Sequence, residues 1–257
     1  MKLISIIMPA YNTQCTISDS INSVLAQTYT NWELIVVNDC STDETASIIK
    51  NFAAADCRIH LHTNKQNIGC AATRNAAMSK ARGQWLAFLD SDDLWLPDKL
   101  EKQLHFSEET KALITYTATS YINKHGIISN YVLPAEREFS YKSLLRRNIM
   151  SCSSVMVRAD VMIPFPHNNV KGDMHEDYAA WLLILRKVGC ANGLNEPLLQ
   201  YRLTGSSKSG KRLNSAKMAY RAYRVAGYSA FLAILLTLRY SLHSISKRSN
   251  IKAGYLS

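Results

Sequence analysis

The sequence lacks the Cys-x-x-Cys spacing of zinc ribbons and dithiol redox centres, although it has six cysteines. They stand at positions 15, 40, 57, 70, 152 and 190. We therefore expect reduced thiols, mostly acting as small buried hydrophobes, in a cytosolic protein. The N-terminus enters a short apolar run directly after residue 2, which predicts that no secretory signal is present.

Acidic residues are absent from residues 201–257, which hold 11 of the 30 Lys and Arg residues. Residues 1–200 hold 19 Lys and Arg against 20 Asp and Glu, so the net charge of +10 belongs to the C-terminal tail. This distribution argues against nucleic-acid binding by the main domain. With 257 residues, 47% of them hydrophobic, the chain is long and apolar enough for one large α/β domain or two small ones.

Strand and helix patterns alternate over the first ninety residues. Strands are predicted at 3–8, 32–37, 58–62 and 85–89, and helices at 15–25, 42–52 and 68–81. This order predicts an α/β fold with a parallel sheet, right-handed crossovers and helices on both faces. Ligands of such sheets bind beyond the carboxyl ends of the strands.

The pattern loosens after residue 97. A helix is predicted at about 98–106, and a second one at 178–188 ends near Gly189. Short strands are predicted at 113–116, 121–123, 127–133, 154–157 and 198–202. The Gly- and Ser-rich stretch 205–210 separates a main domain, 1–204, from a basic tail, 205–257.

Three carboxylates, Asp90, Asp92 and Asp93, follow the apolar run 85–89 directly. Adjacent carboxylates repel each other and are costly to desolvate. A divalent cation, Mg²⁺ or Mn²⁺, with a phosphate ligand would explain them. The alternative is a solvated loop with a helix cap, because Asp98 follows a proline turn. For Asp93 itself we favour a cap of the next turn over a group that supports a metal ligand.

Polar segments also follow the other predicted strands, and such a rim suits a nucleotide diphosphate. Together these segments resemble family 2 glycosyltransferases of the A-type fold, over residues 1–204. The resemblance implies a nucleotide-binding half at about 1–97 and an acceptor half at about 98–204. It depends on the order of IIMPAYN at 6–12, VNDCSTD at 37–43, NIG at 67–69, ATRN at 72–75, DSD at 90–92, HED at 175–177 with Trp181, and YR at 201–202.

The resemblance implies a donor pocket. Asp39 would contact the uracil of a UDP-sugar, and Pro9, Tyr11 and Asn12 would frame the base. Asp39 also suits an Asx turn or a helix cap, and both roles can hold together.

The resemblance further implies a metal cofactor, Mn²⁺ or Mg²⁺. Asp92 would ligate the ion that bridges the donor diphosphate, and Asp90, with Ser91 beside it, would bind the ribose or the water shell of the metal. A metal there would neutralise charge on the leaving UDP. Arg74 would pair with an acidic residue near the donor or with the phosphates; the alternative is a surface arginine in a weak ion pair.

The segment His175-Glu176-Asp177 would supply the general base. Asp177 matches the family's base position, and Glu176 would assist it or contact the acceptor. The alternative is favourable acidic charge at a helix N-terminus. Trp181, one turn after Asp177, would stack on an acceptor sugar or pack in the core.

One segment departs from the family pattern. A histidine commonly follows the Tyr-Arg pair two residues on, and here that position is Thr204. Arg202, Lys208 and Arg212 are the remaining candidates for contacts with the acceptor or the diphosphate, the last two from a loop that orders on binding.

The tail combines cations with an uncharged apolar stretch. Lys217, Arg221 and Arg224 fall on one helical face. The stretch 225–238 has 14 residues, fewer than the about 20 that span a membrane. It predicts an interfacial helix at an anionic cytoplasmic leaflet, with packing on the core as the alternative.

The sequence therefore predicts an inverting, metal-dependent glycosyltransferase. It would transfer a sugar from a UDP-sugar to a glycan acceptor at the cytoplasmic face of the membrane. The resemblance implies an acceptor on a polyprenyl diphosphate, as in O-antigen, capsule or exopolysaccharide synthesis. A noncatalytic, membrane-associated sugar-binding or scaffold protein is the alternative from another class. A nucleotidyltransferase ranks lower, because no Gly-rich basic loop follows the first strand.

Overall fold

The computed structural model describes residues 1–123, 126–167, 174–203 and 212–255. The strands are β1 Ile4–Ala10, β2 Trp32–Asn38, β3 Ile59–Thr63, β4 Trp85–Phe88, β5 Leu94–Trp95, β6 Ile114–Asn123, β7 Ile128–Leu133, β8 Phe139–Ser140, β9 Met156–Arg158 and β10 Cys190–Leu203. The helices are α1 Ile17–Leu25, α2 Thr45–Ala55, α3 Cys70–Met78, α4 Lys99–Thr110, α5 Tyr141–Leu144, α6 Glu176–Val188, α7 Arg212–Val225 and α8 Ala230–Ala253, with a 3₁₀ turn at Cys152–Ser154.

The strands form one mixed sheet in the order β3-β2-β1-β4-β9-β6-β10-β5, with β7 beside β6 and β8 beside β10. The first four strands along the chain are parallel, as predicted. β9 lies antiparallel between β4 and β6 and joins the two halves of the sheet. The carboxyl ends of β1, β2 and β4 therefore share one edge.

Both faces of the sheet are covered. Every residue of β1 is buried, and its side chains alternate between two core clusters. Ile6 packs on one face with Ile17 and Ile21, which recur at helical spacing on α1. Ile7 packs on the opposite face, in the cluster that holds α3, α6 and α7. The buried rim between these layers is where a ligand can approach.

Several predicted boundaries were wrong. The helix predicted from residue 42 begins at Thr45, after Glu44 as N-cap, because the amide of Thr42 is bound instead by the Asn12 side chain. The strands predicted at 113–116 and 121–123 are one strand, β6, since the intervening residues are buried and pair with β10. β10 itself begins at Cys190, not at residue 198.

The tail does not form a single helix through 225–238. α7 ends at Val225, and Gly227, with φ of +87°, turns the chain before α8 begins. α7 packs on α6, where the Tyr223 and Tyr178 hydroxyls lie 2.7 Å apart. None of the described helices is long and apolar enough to cross a membrane.

α8 packs on the body with one face and exposes apolar side chains on the other. Its inner face packs on the body through residues such as the buried Ala233. Its outer face exposes Phe231, Leu238 and Leu242 at 71%, 60% and 70%. Contact of this face with a membrane stays a prediction. The division at residue 204 also stays a prediction, and the linker falls in 204–211, outside the described residues.

Candidate active site

A cleft of about 1790 Å³ opens at the carboxyl edge of the parallel strands. This volume exceeds the range of about 300–1,000 Å³ that is usual for a pocket holding one small ligand. It is lined by most of the residues singled out from the sequence: Pro9, Tyr11, Asn12, Asp39, Arg74, Asp90, Ser91, Asp92, Glu176 and Asp177.

Asp39 organises the base of the cleft beyond β2. Its carboxylate accepts hydrogen bonds from the amides of Ile68 and Gly69, both at 2.8 Å, and from Asn64 Nδ2 at 2.9 Å. It thus fixes the loop before α3, where Gly69 adopts φ of +88°. A carboxylate offers about four acceptor sites, so one remains for a ligand N–H group.

The loop after β1 is tied to the loop after β2. Asn12 Oδ1 accepts from the Thr42 amide at 2.9 Å, and the Asn12 amide donates to Ser41 Oγ at 3.0 Å. Asn12 has φ of +52°, a conformation that asparagine tolerates. Beside it Tyr11 is 47% exposed, so its ring faces the cleft with room for a planar ligand.

The three carboxylates after β4 are not equivalent. Asp90 and Asp92 line the cleft, whereas Asp93 is buried away from it. Asp93 accepts from Ser153 Oγ at 2.6 Å and from the Arg202 amide at 2.9 Å. The prediction of a helix cap for Asp93 was wrong, because Asp98 is the N-cap of α4. Asp93 instead anchors the loop that presents Asp92.

Ser153, in the 3₁₀ turn before β9, and Arg202, on β10, hold the same loop. Ser153 Oγ accepts from the Asp90 amide at 3.0 Å, and Arg202 Nε donates to the Asp92 carbonyl at 2.8 Å. Arg202 Nη2 also pairs with Asp19 at 3.1 Å. Two nitrogens of the guanidinium are therefore bound to loop and helix groups, and a contact of Arg202 with the acceptor or the diphosphate stays a prediction.

Arg74 joins the two halves of the cleft. It is 4% exposed, and its guanidinium pairs with Asp90 at 2.5 Å and with Glu176 at 3.2 Å. The prediction of an acidic partner is confirmed, and the alternative of a weakly paired surface arginine is wrong. The ion pairs bring the end of β4 and the start of α6 to opposite sides of one buried cation.

Asp177 lies next to this bridge, at the start of α6. Burial and the neighbouring Glu176 raise the pKa of Asp177, while His175 and Arg74 oppose the shift. A carboxylate with a raised pKa is a stronger base near neutral pH. His175 in turn contacts Ser215 Oγ of α7 through Nε2 at 3.1 Å.

Asp90 and Asp92 suit a divalent cation that takes its other ligands from a substrate. Burial and the charge of Asp90 raise the pKa of Asp92 to about 6, a penalty that a bound cation would reverse. In the described part of the chain, no three His, Cys, Asp or Glu side chains form a metal site by themselves. Mg²⁺ is usually held by one or two carboxylates plus substrate phosphates, and Asp90 with Asp92 suits that pattern.

Three further candidates lie elsewhere. Trp181 is fully buried against Phe88 and Phe165, with ring centroids 5.7 Å away in both cases. It cannot offer a face to a sugar, so the stacking prediction was wrong and the core alternative is correct. Lys208, with Thr204, lies outside the described residues, and of Arg212 only the backbone, at the start of α7, is described.

Sequence reasoning missed Ser153 and the tail residues of the cleft. Ser153 carries no motif, and only the antiparallel approach of β9 brings it to β4. Lys247, on α8, reaches the cleft because the chain turns back at Gly227. Neither placement has a signal in local periodicity.

The fold is a mixed α/β sheet with a cleft at its carboxyl edge, and the buried Arg74 joins Asp90 and Glu176 across that cleft. A model of Glycosyl transferase family 2 matches residues 5–162. The chain belongs to this family and is a glycosyltransferase with the A-type fold, as the resemblance implied.

Two relatives match most of the chain. TuaG of Bacillus subtilis, named for teichuronic acid biosynthesis, is 36% identical over 96% of this chain and 97% of its own. The Escherichia coli enzyme WfgD is named a UDP-Glc:α-D-GlcNAc-diphosphoundecaprenol β-1,3-glucosyltransferase. It is 39% identical over 84% of this chain and 83% of its own.

Solved structures share the fold at lower identity. Staphylococcus aureus TarS, residues 1–349 with UDP, superposes with a TM-score of 0.68 and 20% identity, over 92% of this chain and 70% of that chain. The mannosyltransferase PcManGT of Pyrobaculum calidifontis, with GDP-Man and Mn²⁺, gives 0.65 at 16% identity, over 95% and 75%.

Proposed function

We propose that the protein is an inverting, metal-dependent glycosyltransferase that uses a UDP-sugar and a saccharide acceptor linked to a polyprenyl diphosphate. The single observation that carries the proposal is the Arg74 bridge, which sets Asp90 and Glu176 on two sides of one cleft. The name of WfgD supports this pair of substrates, and the Mn²⁺ in the PcManGT structure supports a metal.

The donor binds at the edge formed by β1, β2 and β4. Asp39 accepts the uracil N–H at its remaining acceptor site, while Pro9, Tyr11 and Asn12 surround the base. Asp92 and Asp90 would hold Mn²⁺ or Mg²⁺. When bound, the metal neutralises charge on the leaving UDP. Arg74 fixes Asp90 in place for this role.

The acceptor binds on the α6 side. Asp177 takes the proton of the attacking hydroxyl as the new bond forms between that oxygen and the anomeric carbon. The bond from the anomeric carbon to the diphosphate oxygen breaks, and UDP leaves on the opposite face, so the configuration inverts. Glu176, held by Arg74, keeps the helix start in position.

The enzyme works at the cytoplasmic face of the membrane as a peripheral protein. The support is the exposed apolar face of α8, together with a tail that has 11 cations and no acidic residue. An amphipathic helix with cations beside it is attracted to anionic lipids.

The test is UDP release from a panel of UDP-sugars, with and without Mn²⁺ or Mg²⁺, in the presence of an undecyl-diphosphate-linked GlcNAc. We expect metal-dependent release that Asp92→Ala abolishes, and an inverted anomeric configuration in the product by NMR. Asp98→Ala, an exposed carboxylate of the next helix, is the matched control.

Release of UDP at the same rate after chelation would contradict the metal assignment. Absence of release with every UDP-sugar and both metals would contradict glycosyl transfer from a UDP donor. A product with retained configuration would reject the proposed role of Asp177.

A further inference from the structure

The two tail helices line part of the cleft, here called the basic wall, and the charged groups that they contribute are cations. α7 contributes Lys217 and Arg221, and α8 contributes Lys247 and Lys252. No acidic residue occurs anywhere in 201–257, so the helices themselves offer no carboxylate to neutralise this wall. The acidic groups of the cleft lie instead in the loops after β2 and β4, at the start of α6 and in the loop at Glu136.

The helical register separates two surfaces of α8. Tyr240, His243, Ser244 and Lys247 follow at steps of three and four and line the cleft. The exposed apolar residues, Phe231, Ile234, Leu235, Leu238, Leu242 and Ile245, recur on the opposite side of the helix. Up to Lys247 the helix therefore has a polar face in the cleft and an apolar face in solvent, and nearer its C-terminus Ser249 and Lys252 also line the cleft.

This basic wall begins beside the proposed general base. His175, two residues before Asp177, contacts Ser215 of α7 at 3.1 Å. The His175 ring also lies 6.2 Å from the ring of Tyr240 on α8. Arg221 follows Ser215 by six residues, about 9 Å along the helix axis at 1.5 Å per residue. Arg221 and His175 both line the cleft, so the tail cations and the segment of Asp177 border the same space.

Two anionic groups enter the proposed reaction, and they need separate places. The donor diphosphate belongs at Asp92, across the reacting carbon from Asp177. A wall of lysine and arginine on the Asp177 side is complementary to a second anion, attached to the acceptor. Because α8 also exposes apolar side chains, a lipid is the group that we expect to be attached to the diphosphate of that acceptor.

We propose that Lys217, Arg221 and Lys247 form the binding site for the diphosphate of the acceptor. The inference depends on the proposed function and deepens it: the substrate is a saccharide diphosphate ester, and the tail helices recognise its charged link. The sugar ring extends from this site towards Asp177, and the lipid leaves the cleft beside the outer face of α8.

The test is calorimetric binding of undecyl-diphosphate-linked GlcNAc to the full chain saturated with UDP and Mn²⁺. Lys217→Gln combined with Arg221→Gln should weaken binding at least tenfold, and Lys247→Gln should act in the same direction. The neutral undecyl GlcNAc glycoside should bind the wild type and the variants equally. Arg224→Gln and Arg239→Gln are matched controls, since both side chains are exposed on the same helices and neither lines the cleft.

A second arm separates the acceptor from membrane headgroups, which also carry phosphate. Sedimentation with phosphatidylglycerol vesicles that lack the acceptor should be the same for wild type and for Lys217→Gln with Arg221→Gln. A parallel loss of vesicle binding would assign these cations to the membrane and overturn the proposal. Equal affinity of wild type and variants for the diphosphate ligand would overturn it too.

Failure of this inference is distinguishable from failure of the proposed function. UDP-sugar hydrolysis and UDP affinity report the donor side, and the variants should leave both unchanged. Normal donor turnover with no discrimination between the diphosphate and the neutral glycoside would reject only the acceptor site. Absence of UDP-sugar hydrolysis by the wild type would instead reject the proposed function.

Discussion

At the scale of single residues, the cleft contains carboxylates with different environments. Asp177 is partly buried with a raised pKa, whereas Glu176 is paired to Arg74. Burial and the charges of Asp92 and Asp90 also raise the pKa of Asp93 well above its ordinary value. Their surroundings therefore distinguish Asp177, the candidate base, from Glu176, which positions the helix, and from Asp93, which anchors a loop. The sequence alone does not distinguish these three roles.

Asp177→Asn should lower kcat by about 10²- to 10⁴-fold, the usual contribution of a general base. UDP and its sugars should bind with near-normal affinity, because the donor contacts lie on the β-sheet edge. Single-turnover transfer and UDP titration measure the two quantities.

Glu101→Gln, an acid in the first turn of α4, is the control for a mere charge at a helix N-terminus. It should leave kcat unchanged. If Asp177→Asn weakened UDP binding as much as it slowed transfer, the role of Asp177 would be in binding rather than in proton transfer.

Arg74→Leu should lower the free energy of unfolding by about 3–5 kcal/mol. The reason is that Asp90 and Glu176 would lose their shared buried cation. Arg74→Lys should recover only part of the loss, since an ammonium lacks the planar fork that reaches two carboxylates. Urea unfolding of each variant gives the comparison.

Arg158→Leu is the matched control. It removes an exposed ion pair with Asp160 and should leave stability nearly unchanged. Equal destabilisation by Arg74→Leu and Arg158→Leu would show that the buried bridge contributes no more than a surface pair.

At the scale of elements, α8 is the least usual part of the molecule, because its apolar outer face has no partner among the described residues. Truncation after Ser209 would be an unsuitable test of membrane binding. It would also remove α7, whose Ala219, Ala222 and Tyr223 are fully buried in the core. Substitutions on the exposed face test the same hypothesis without this loss.

Leu238→Ser combined with Leu242→Ser should reduce partition onto anionic vesicles at least about tenfold, since burial of each leucine contributes about 1.5–3 kcal/mol. Stability should change little, because the two side chains are 60% and 70% exposed. Vesicle sedimentation and thermal unfolding measure the two effects.

Ile127→Ser combined with Ile128→Ser is the control on another surface, where the side chains are 59% and 54% exposed. Equal partition of all three proteins would reject α8 as the membrane contact.

The elements show where sequence reasoning succeeds and where it stops. The alternation of β1 to β4 with α1 to α3 follows from local periodicity, so the parallel edge and the residues on it could be predicted. The contacts of Arg202 could not be predicted from the sequence. They arise because β10 pairs with β5, which brings Arg202 next to the Asp92 loop. The four-residue spacing suggests that Trp181 lies on the same helix face as Asp177. Trp181 is instead buried by Phe88 and Phe165, which are distant in sequence.

At the scale of the whole molecule, charge is divided between the two walls of the cleft. The sheet edge and α6 contribute the carboxylates Asp39, Asp90, Asp92, Glu176 and Asp177, and the tail contributes cations. The tail helices also share the core with α6. Catalytic body and basic tail therefore depend on each other for stability, which is consistent with a site completed by the tail.

Stability as a whole should depend on pH through Lys99, which is fully buried in α4. Its Nζ donates to Gln103 Oε1 at 2.7 Å and lies 4.1 Å from the Trp95 ring centroid. Burial lowers the pKa of Lys99 to about 7. In the unfolded chain a lysine titrates near about 10.4.

Between these two pKa values the unfolded chain binds more protons than the folded protein, so this group makes stability rise with pH. The penalty is complete below pH 7 and disappears above about pH 10.4. Lys99→Met removes the titration. From pH 7 to 10, the free energy of unfolding of the wild type should therefore rise relative to that of Lys99→Met. The rise should be at most about 1.4 kcal/mol per pH unit. Lys102→Met, an exposed change on the same helix, is the control, and its free energy of unfolding should depend on pH as that of the wild type does. If wild type and Lys99→Met showed the same dependence on pH, Lys99 would be protonated in the folded core.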